Sequence, residues 1–231
     1  VISDGSNNIV TSNYSIGYGT MGFFNTSTKP ALTIAANAQP AISYGDSIGF
    51  LGNNIAAGPS SGWTATSSDN TVSTASITAV TLSLTTGAAM NSPLAATNAN
   101  GRYNAGSYYI MPSNPKTGTS GNYSDVVYGS SPTATWSAII YSPIAFMINP
   151  RALSITAPMI ASKTYDGTSA AGALAIGTLS NLVGTEVLSV AGTASARATK
   201  AVGSQAVAVS YVLTNGTGAN GGLATNYSLA N

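Results

Sequence analysis

The chain has six carboxylates: Asp4, Asp46, Asp69, Asp125, Asp166 and Glu186. Two carboxylates about 5–10 Å apart around a cleft would suit glycoside hydrolysis. Asp46 and Asp166, however, stand in corresponding tripeptides, Tyr44-Gly45-Asp46 and Tyr165-Asp166-Gly167, and read as turn formers. There is no His and no Cys. That removes an imidazole base, a thiolate nucleophile and any zinc site built on those ligands. A Ser nucleophile would need one of Lys29, Lys116, Lys163 or Lys200 as its base. The chain therefore reads as a non-enzyme. Calcium needs clustered oxygen ligands, and Asp69-Asn70 and Asn53-Asn54 are too sparse, so no metal and no cofactor are expected.

Lys163 lies close to Asp166. A covalent Lys–Asn cross-link needs a buried Lys, an Asn and an acid, whereas a solvated Lys beside a turn satisfies the same local sequence. Aromatic faces are the remaining candidate chemistry, because sugars stack on them. Trp63, Tyr103, Tyr108, Tyr109, Tyr128, Trp136 and Tyr141 are available. Aromatics in strands ordinarily serve cores or cross-strand pairs. Trp63 and Tyr103 are the candidate glycan contacts, since they fall in an irregular, Gly- and Asn-rich insert. Sequons at Asn13, Asn25, Asn122, Asn215 and Asn226 are about as many as an Asn-, Ser- and Thr-rich chain produces by chance, and surface glycosylation is open.

Charge narrows the partners. Lys and Arg number seven and Asp and Glu six, a net +1 with only 6% charged residues. This offers no basic footprint for nucleic acid and no polybasic membrane patch. The most apolar stretch, Ala134 to Met147, contains Ser137, Ser142 and Pro143 and is too short to span a bilayer. The absence of Cys suits an exported protein and a cytosolic one equally. The opening Val1-Ile2-Ser3-Asp4 lacks a basic leader, and the chain reads as a mature fragment.

The elements that must position these residues are strands. Thr71 to Leu84 alternates polar and apolar residues, and Ser204 to Leu213 places Val207, Val209, Tyr211 and Leu213 on one face. Turn pairs such as Gly58-Pro59, Asn114-Pro115, Asp166-Gly167 and Asn215-Gly216 punctuate the runs. Helical heptads are missing. The expected class is all-β, in two tandem sandwich-like domains, Ig-like or β-grasp-like.

Repetition sets the boundaries. Asn-Tyr-Ser occurs at Asn13, Asn122 and Asn226. Pro30-Ala31-Leu32-Thr33-Ile34 returns as Pro150-Arg151-Ala152-Leu153-Ser154-Ile155, and Tyr44-Gly45-Asp46 as Tyr165-Asp166-Gly167. Residues 1–29 then form the tail of a preceding unit, 30–150 one whole unit, and 151–231 a second unit without the closing strand of the first. Such a unit exposes an edge. Residues 9–24 are the expected filler. Ile9, Tyr14, Ile16, Tyr18, Met21, Phe23 and Phe24 would anchor them as a donor strand on another copy. The competing reading packs residues 1–29 on their own first domain.

Lys163-Thr164-Tyr165-Asp166-Gly167-Thr168, Leu182-Val183-Gly184-Thr185-Glu186 and Asn226-Tyr227-Ser228-Leu229 together resemble the YDG-type repeat. Ala31 to Ile148 resembles the companion MBG-type repeat. Its marks are Leu32-Thr33-Ile34, Tyr44-Gly45-Asp46, Ala105-Gly106-Ser107-Tyr108-Tyr109-Ile110 and Asn122-Tyr123-Ser124. Residues 13–24 look like the end of another such repeat. Both types occur in tandem in large secreted filamentous-haemagglutinin-like adhesins of Gram-negative bacteria. The resemblance implies an extracellular stalk or fibre module that contacts copies of itself or neighbouring repeats. A glycan-binding adhesin module is the alternative. It defines no catalytic or ligand residues.

Overall fold

The computed structural model describes residues 31–56, 62–68, 77–88, 101–117 and 138–230. The proposed donor residues Ile9, Tyr14, Ile16, Tyr18, Met21, Phe23 and Phe24 lie outside them. The described chain is all-β, with no α-helix. None of its helices is long and apolar enough to cross a membrane.

The front unit holds two sheets. Strand β1 (Ala31–Ala36) alternates half-buried and buried positions, so Leu32, Ile34 and Ala36 point inward. It lies between β4 (Trp63–Ser67), antiparallel, and β7 (Ala138–Ser142), parallel. The second sheet has five strands: β2 (Ile42–Ser43), β8 (Ile144–Asn149), β6 (Gly106–Thr117), β5 (Ile77–Thr85) and β3 (Gly52–Ala56), in that order. Leu32 and Ile34 of the first sheet share one core with Val80, Leu82, Leu84, Ile110, Phe146 and Ile148 of the second. Two sheets facing across a common core make a sandwich-like unit.

Two prolines explain details that alternation alone did not predict. Pro143 splits the apolar run of residues 134–147, because proline has no N–H for a ladder. On either side of it the chain changes sheets, β7 joining the first and β8 the second. Asn114-Pro115, expected as a turn, is instead a bulge inside β6. Ala79 pairs with Lys116 and Thr81 with Ser113, so two residues of β6 oppose one of β5. Asn114 takes φ +47, a conformation Asn tolerates better than most residues.

The rear unit is built from β9 (Arg151–Ile155), β10 (Met159–Ile160), β11 (Leu174–Ala175), β12 (Leu179–Ser180), β13 (Ser189–Ala194), β14 (Val209–Thr214) and β15 (Tyr227–Leu229). They form the sheets β12-β9-β15, β10-β11 and β13-β14, and no sheet among the described residues joins strands from both sides of Pro150. The run read from Ser204 becomes strand only from Val209, with Val209, Tyr211 and Leu213 on the more buried face as expected. Strand β15 pairs parallel beside β9, the place β7 takes beside β1, so the chain itself covers that edge.

Candidate functional site

The recurrent strings converge where the two units meet. From the front come Tyr44, Gly45, Asp46, Asn104 and Ala105. From the rear come Arg151, the turn around Val183 and Glu186, and Asn226-Tyr227.

Tyr44 is placed by the end of β2. Its N–H donates to the Asn149 carbonyl at 2.8 Å. The Ser43 N–H donates to Asp46 Oδ2 at 3.1 Å and the Asp46 N–H to the Ser43 carbonyl at 3.0 Å, which closes the turn. Gly45 adopts φ +92, and a Cβ there would collide with the Val183 side chain of the rear unit. Glycine is therefore required twice, for conformation and for close approach. Arg102 Nη1 donates to the Gly45 carbonyl and fixes the turn from the side.

The centre of the joint is a buried carboxylate. Glu186, 5% exposed, accepts from the Tyr44 hydroxyl at 2.5 Å through Oε1 and from the Tyr227 hydroxyl at 2.7 Å through Oε2. Tyr227 in turn accepts the Val183 N–H at 3.0 Å. The two rings meet edge to face, centroids 5.3 Å apart at 79°. Burial, then the hydrogen bond to Glu186, pushes the Tyr44 hydroxyl well above the usual phenol range. Burial, with Glu186 adding to it against the Val183 N–H, pushes Tyr227 up to about 12. Both hydroxyls therefore stay protonated as donors to the acid.

Asn226 makes the second tie. It closes a short 3-10 turn (Ala224–Asn226) and is 1% exposed. Its Oδ1 accepts the Ala105 N–H at 2.8 Å, and its Nδ2 donates to Asn104 Oδ1 at 2.9 Å. Arg151 makes the third tie, at the rim. It donates to Asp46 Oδ1 at 3.2 Å and the Tyr44 carbonyl at 3.3 Å, and reaches the Asn181 carbonyl and side chain within its own unit.

Asp166, like Asp46, sits in its turn as the sequence suggested. Asp166 accepts from the Thr168 N–H at 2.9 Å and pairs with Lys163 at 2.6 Å. Lys163, with Thr168 beside it, holds that carboxyl well below the usual range. Lys163 also donates to Thr168 and the Ala170 carbonyl and is partly exposed, which is the solvated arrangement and not that of a cross-linking Lys. Asp69 and Asn70 lie outside the described residues. Ser113 and Lys116 have the Ser-x-x-Lys spacing, which unites the two side chains on a helix; here β6 carries them, and the spacing loses that meaning. The Gly-x-Ser-x-Gly spacing at Gly58-Pro59-Ser60-Ser61-Gly62 lies mostly outside the described residues.

Of the two glycan candidates, Trp63 begins β4 and is 3% exposed, so it presents no ring face for stacking. Tyr103 is half-buried, edge to face with Tyr108, and lines an open cavity of about 610 Å³ with Arg102, Asp46, Ser43 and Ser83. The structure does not bring the two together in that cavity. Glu186, Asn226, Tyr227 and Tyr44 are the residues that site reasoning from sequence passed over. Two signals pointed to them: the recurrence of their strings, and Glu186 being the chain's single Glu.

No curated protein and no solved structure matches the chain. A family model does: the rear side of the joint, residues 149–231, is a YDG domain.

Proposed function

We propose that this chain is a structural module of an extracellular bacterial stalk or fibre, in which a YDG domain is locked to a preceding MBG-type β-domain. The observation that carries the reading is the Tyr44–Glu186–Tyr227 joint. A linker between independent domains has no need to bury a carboxylate. When the front unit moves away, the buried acid loses the Tyr44 hydroxyl and keeps Tyr227 of its own unit, and a broken buried hydrogen bond to a carboxyl group is costly. The joint therefore resists bending, which is what a stalk requires. Tyr44 and Tyr227, the two donors at its centre, belong to recurrent strings, whereas the acceptor Glu186 is the chain's single Glu. Low charge supports the reading too, since like-charge repulsion between stacked modules is small.

Growth by strand addition through residues 9–24 is part of the same proposal. Its acceptor in this proposal is the edge of β14, which is in a two-stranded sheet with β13. Negative-stain images of the chain with and without residues 1–29 test it. Fibres that vanish on truncation support strand addition, and fibres that persist, or never form, refute it.

A second reading, a glycan-binding module, rests on the cavity lined by Tyr103, Arg102 and Asp46. A glycan array run with the chain and its Tyr103→Ala variant decides it. Binding lost in the variant supports a sugar site, and no binding by the parent chain removes it.

A further inference from the structure

The rear unit carries the front unit's socket a second time, uncovered. Tyr165 heads the turn that corresponds to Tyr44-Gly45-Asp46, and it is 63% exposed where Tyr44 is fully buried. In the front unit an arginine ahead of the long strand, Arg102, donates to the turn's Gly45 carbonyl. In the rear unit Arg197 donates just past the turn, to the Thr168 carbonyl at 2.7 Å, and its N–H donates to the Ser169 carbonyl at 2.7 Å. Each arginine is followed by a Gly-Ser pair, Gly106-Ser107 and Gly203-Ser204, with both glycines at positive φ. The residue before that glycine is Ala105 in front, which donates to the YDG domain's Asn226. Behind, it is Val202, 83% exposed. Strand β9 leads away from the joint at Arg151, so this second socket stands outside the joint already filled.

The surroundings agree. Among the described residues the rear unit's buried side chains are Leu153, Val183, Glu186, Asn226 and Tyr227, and the last four are joint residues. Its large exposed apolar side chains include Met159, Tyr165, Val202 and Val212. Exposed large apolar side chains on a unit whose counterpart turn is covered suit an interface.

We propose that the Tyr165–Val202 face of the YDG domain is a second joint. Its occupant is a further YDG-type unit that offers a carboxylate, a tyrosine and an asparagine as Glu186, Tyr227 and Asn226 do. This rests on the stalk reading above. An intact second copy of this chain is not the occupant, because its own front unit already covers those three residues. The occupant is a unit whose Glu186 face is open.

The test extends the full chain at its C-terminus with a second copy of residues 144–231, which brings β8 together with the YDG domain. A Thr164→Ser change marks the added copy's peptide. Tyrosine nitration by tetranitromethane is followed by mass spectrometry. The original Tyr165 should react about tenfold more slowly than in the unextended chain, as a joint closed some nine-tenths of the time requires. The added copy's Tyr165 should stay reactive, and Glu186→Ala in the added copy alone should restore reactivity at the original Tyr165. Equal reactivity with and without the extension, with Tyr44 protected throughout, overturns this inference and leaves the stalk reading standing. Nitration of Tyr44 in the unextended chain overturns both.

Discussion

Tyr44 and Tyr165 head corresponding turns in two units of one chain, yet Tyr44 has no exposed surface and Tyr165 is 63% exposed. Their neighbours follow suit. Asp46 pairs across the joint with Arg151, while Asp166 pairs with Lys163 three residues away. Gly45 lies under Val183, whereas a Cβ on Gly167 would meet open space. The turn itself is thus a local product of Gly and Asp chemistry. Burial is conferred by the unit that docks on it. The difference separates what a repeat must encode to fold from what it must encode to join.

The comparison is broken most sharply at the two tyrosines. Tyr44→Ala should cost about 4 kcal/mol, since it empties a buried aromatic site. Tyr165→Ala should stay within about 0.5 kcal/mol, as exposed positions do. Urea unfolding of both variants measures the gap, and equal losses would mean that Tyr44 does not sit in a closed joint. Next comes Glu186→Ala, which removes the shared acceptor of two buried hydroxyls; about 3 kcal/mol should be lost.

Gly45→Ala should cost about 2 kcal/mol from the positive φ and the encounter with Val183, and Gly167→Ala about 1 from φ alone. Thermal unfolding of the pair reads that contrast, and a smaller loss at Gly45 than at Gly167 would contradict the close approach.

Alkaline pH sharpens the comparison further. Tyr44 and Tyr227 have folded-state pKa values raised above the ordinary 10.0, Tyr227 to about 12. A raised value means that the folded state holds its proton longer. The stability is whole below about pH 10 and falls as pH rises toward 12. Tyrosinate absorbance should show these hydroxyls ionising together with loss of the joint. The smallest effect belongs to Asp46→Asn. Its ion pair with Arg151 is half-exposed, and such pairs contribute at most about 1 kcal/mol. A loss above that would place the rim on a par with the buried acid.

Much of this was legible in the sequence. Alternation located β5 and the inward face of β14, and the repeated strings located the turns. Asn114-Pro115 misled, because a turn and a bulge ask the same backbone tolerance of Asn and Pro, and only the partner strand tells them apart. Trp63 misled because an aromatic in a Gly-rich stretch reads as surface until the facing sheet is known. The joint was half visible. Tyr44 and Asn226-Tyr227 stood out as recurrent, but recurrence does not say whether a Tyr serves its own turn or the next unit. Glu186 looked like an ordinary acid after Gly184-Thr185, and its burial depends on Tyr44, 142 positions away.

A carboxylate shared by two tyrosines is what we propose fixes one unit against the other. The absence of Cys makes it directly measurable, since Met147→Cys on β8 and Val212→Cys on β14 give two clean, exposed labelling sites, one in each unit. Pulsed electron paramagnetic resonance between spin labels there reports the distance distribution. A single narrow distribution is expected, and it should broaden when Glu186→Ala is added. A broad distribution in the otherwise unaltered chain, or a narrow one that Glu186→Ala leaves unchanged, would contradict it.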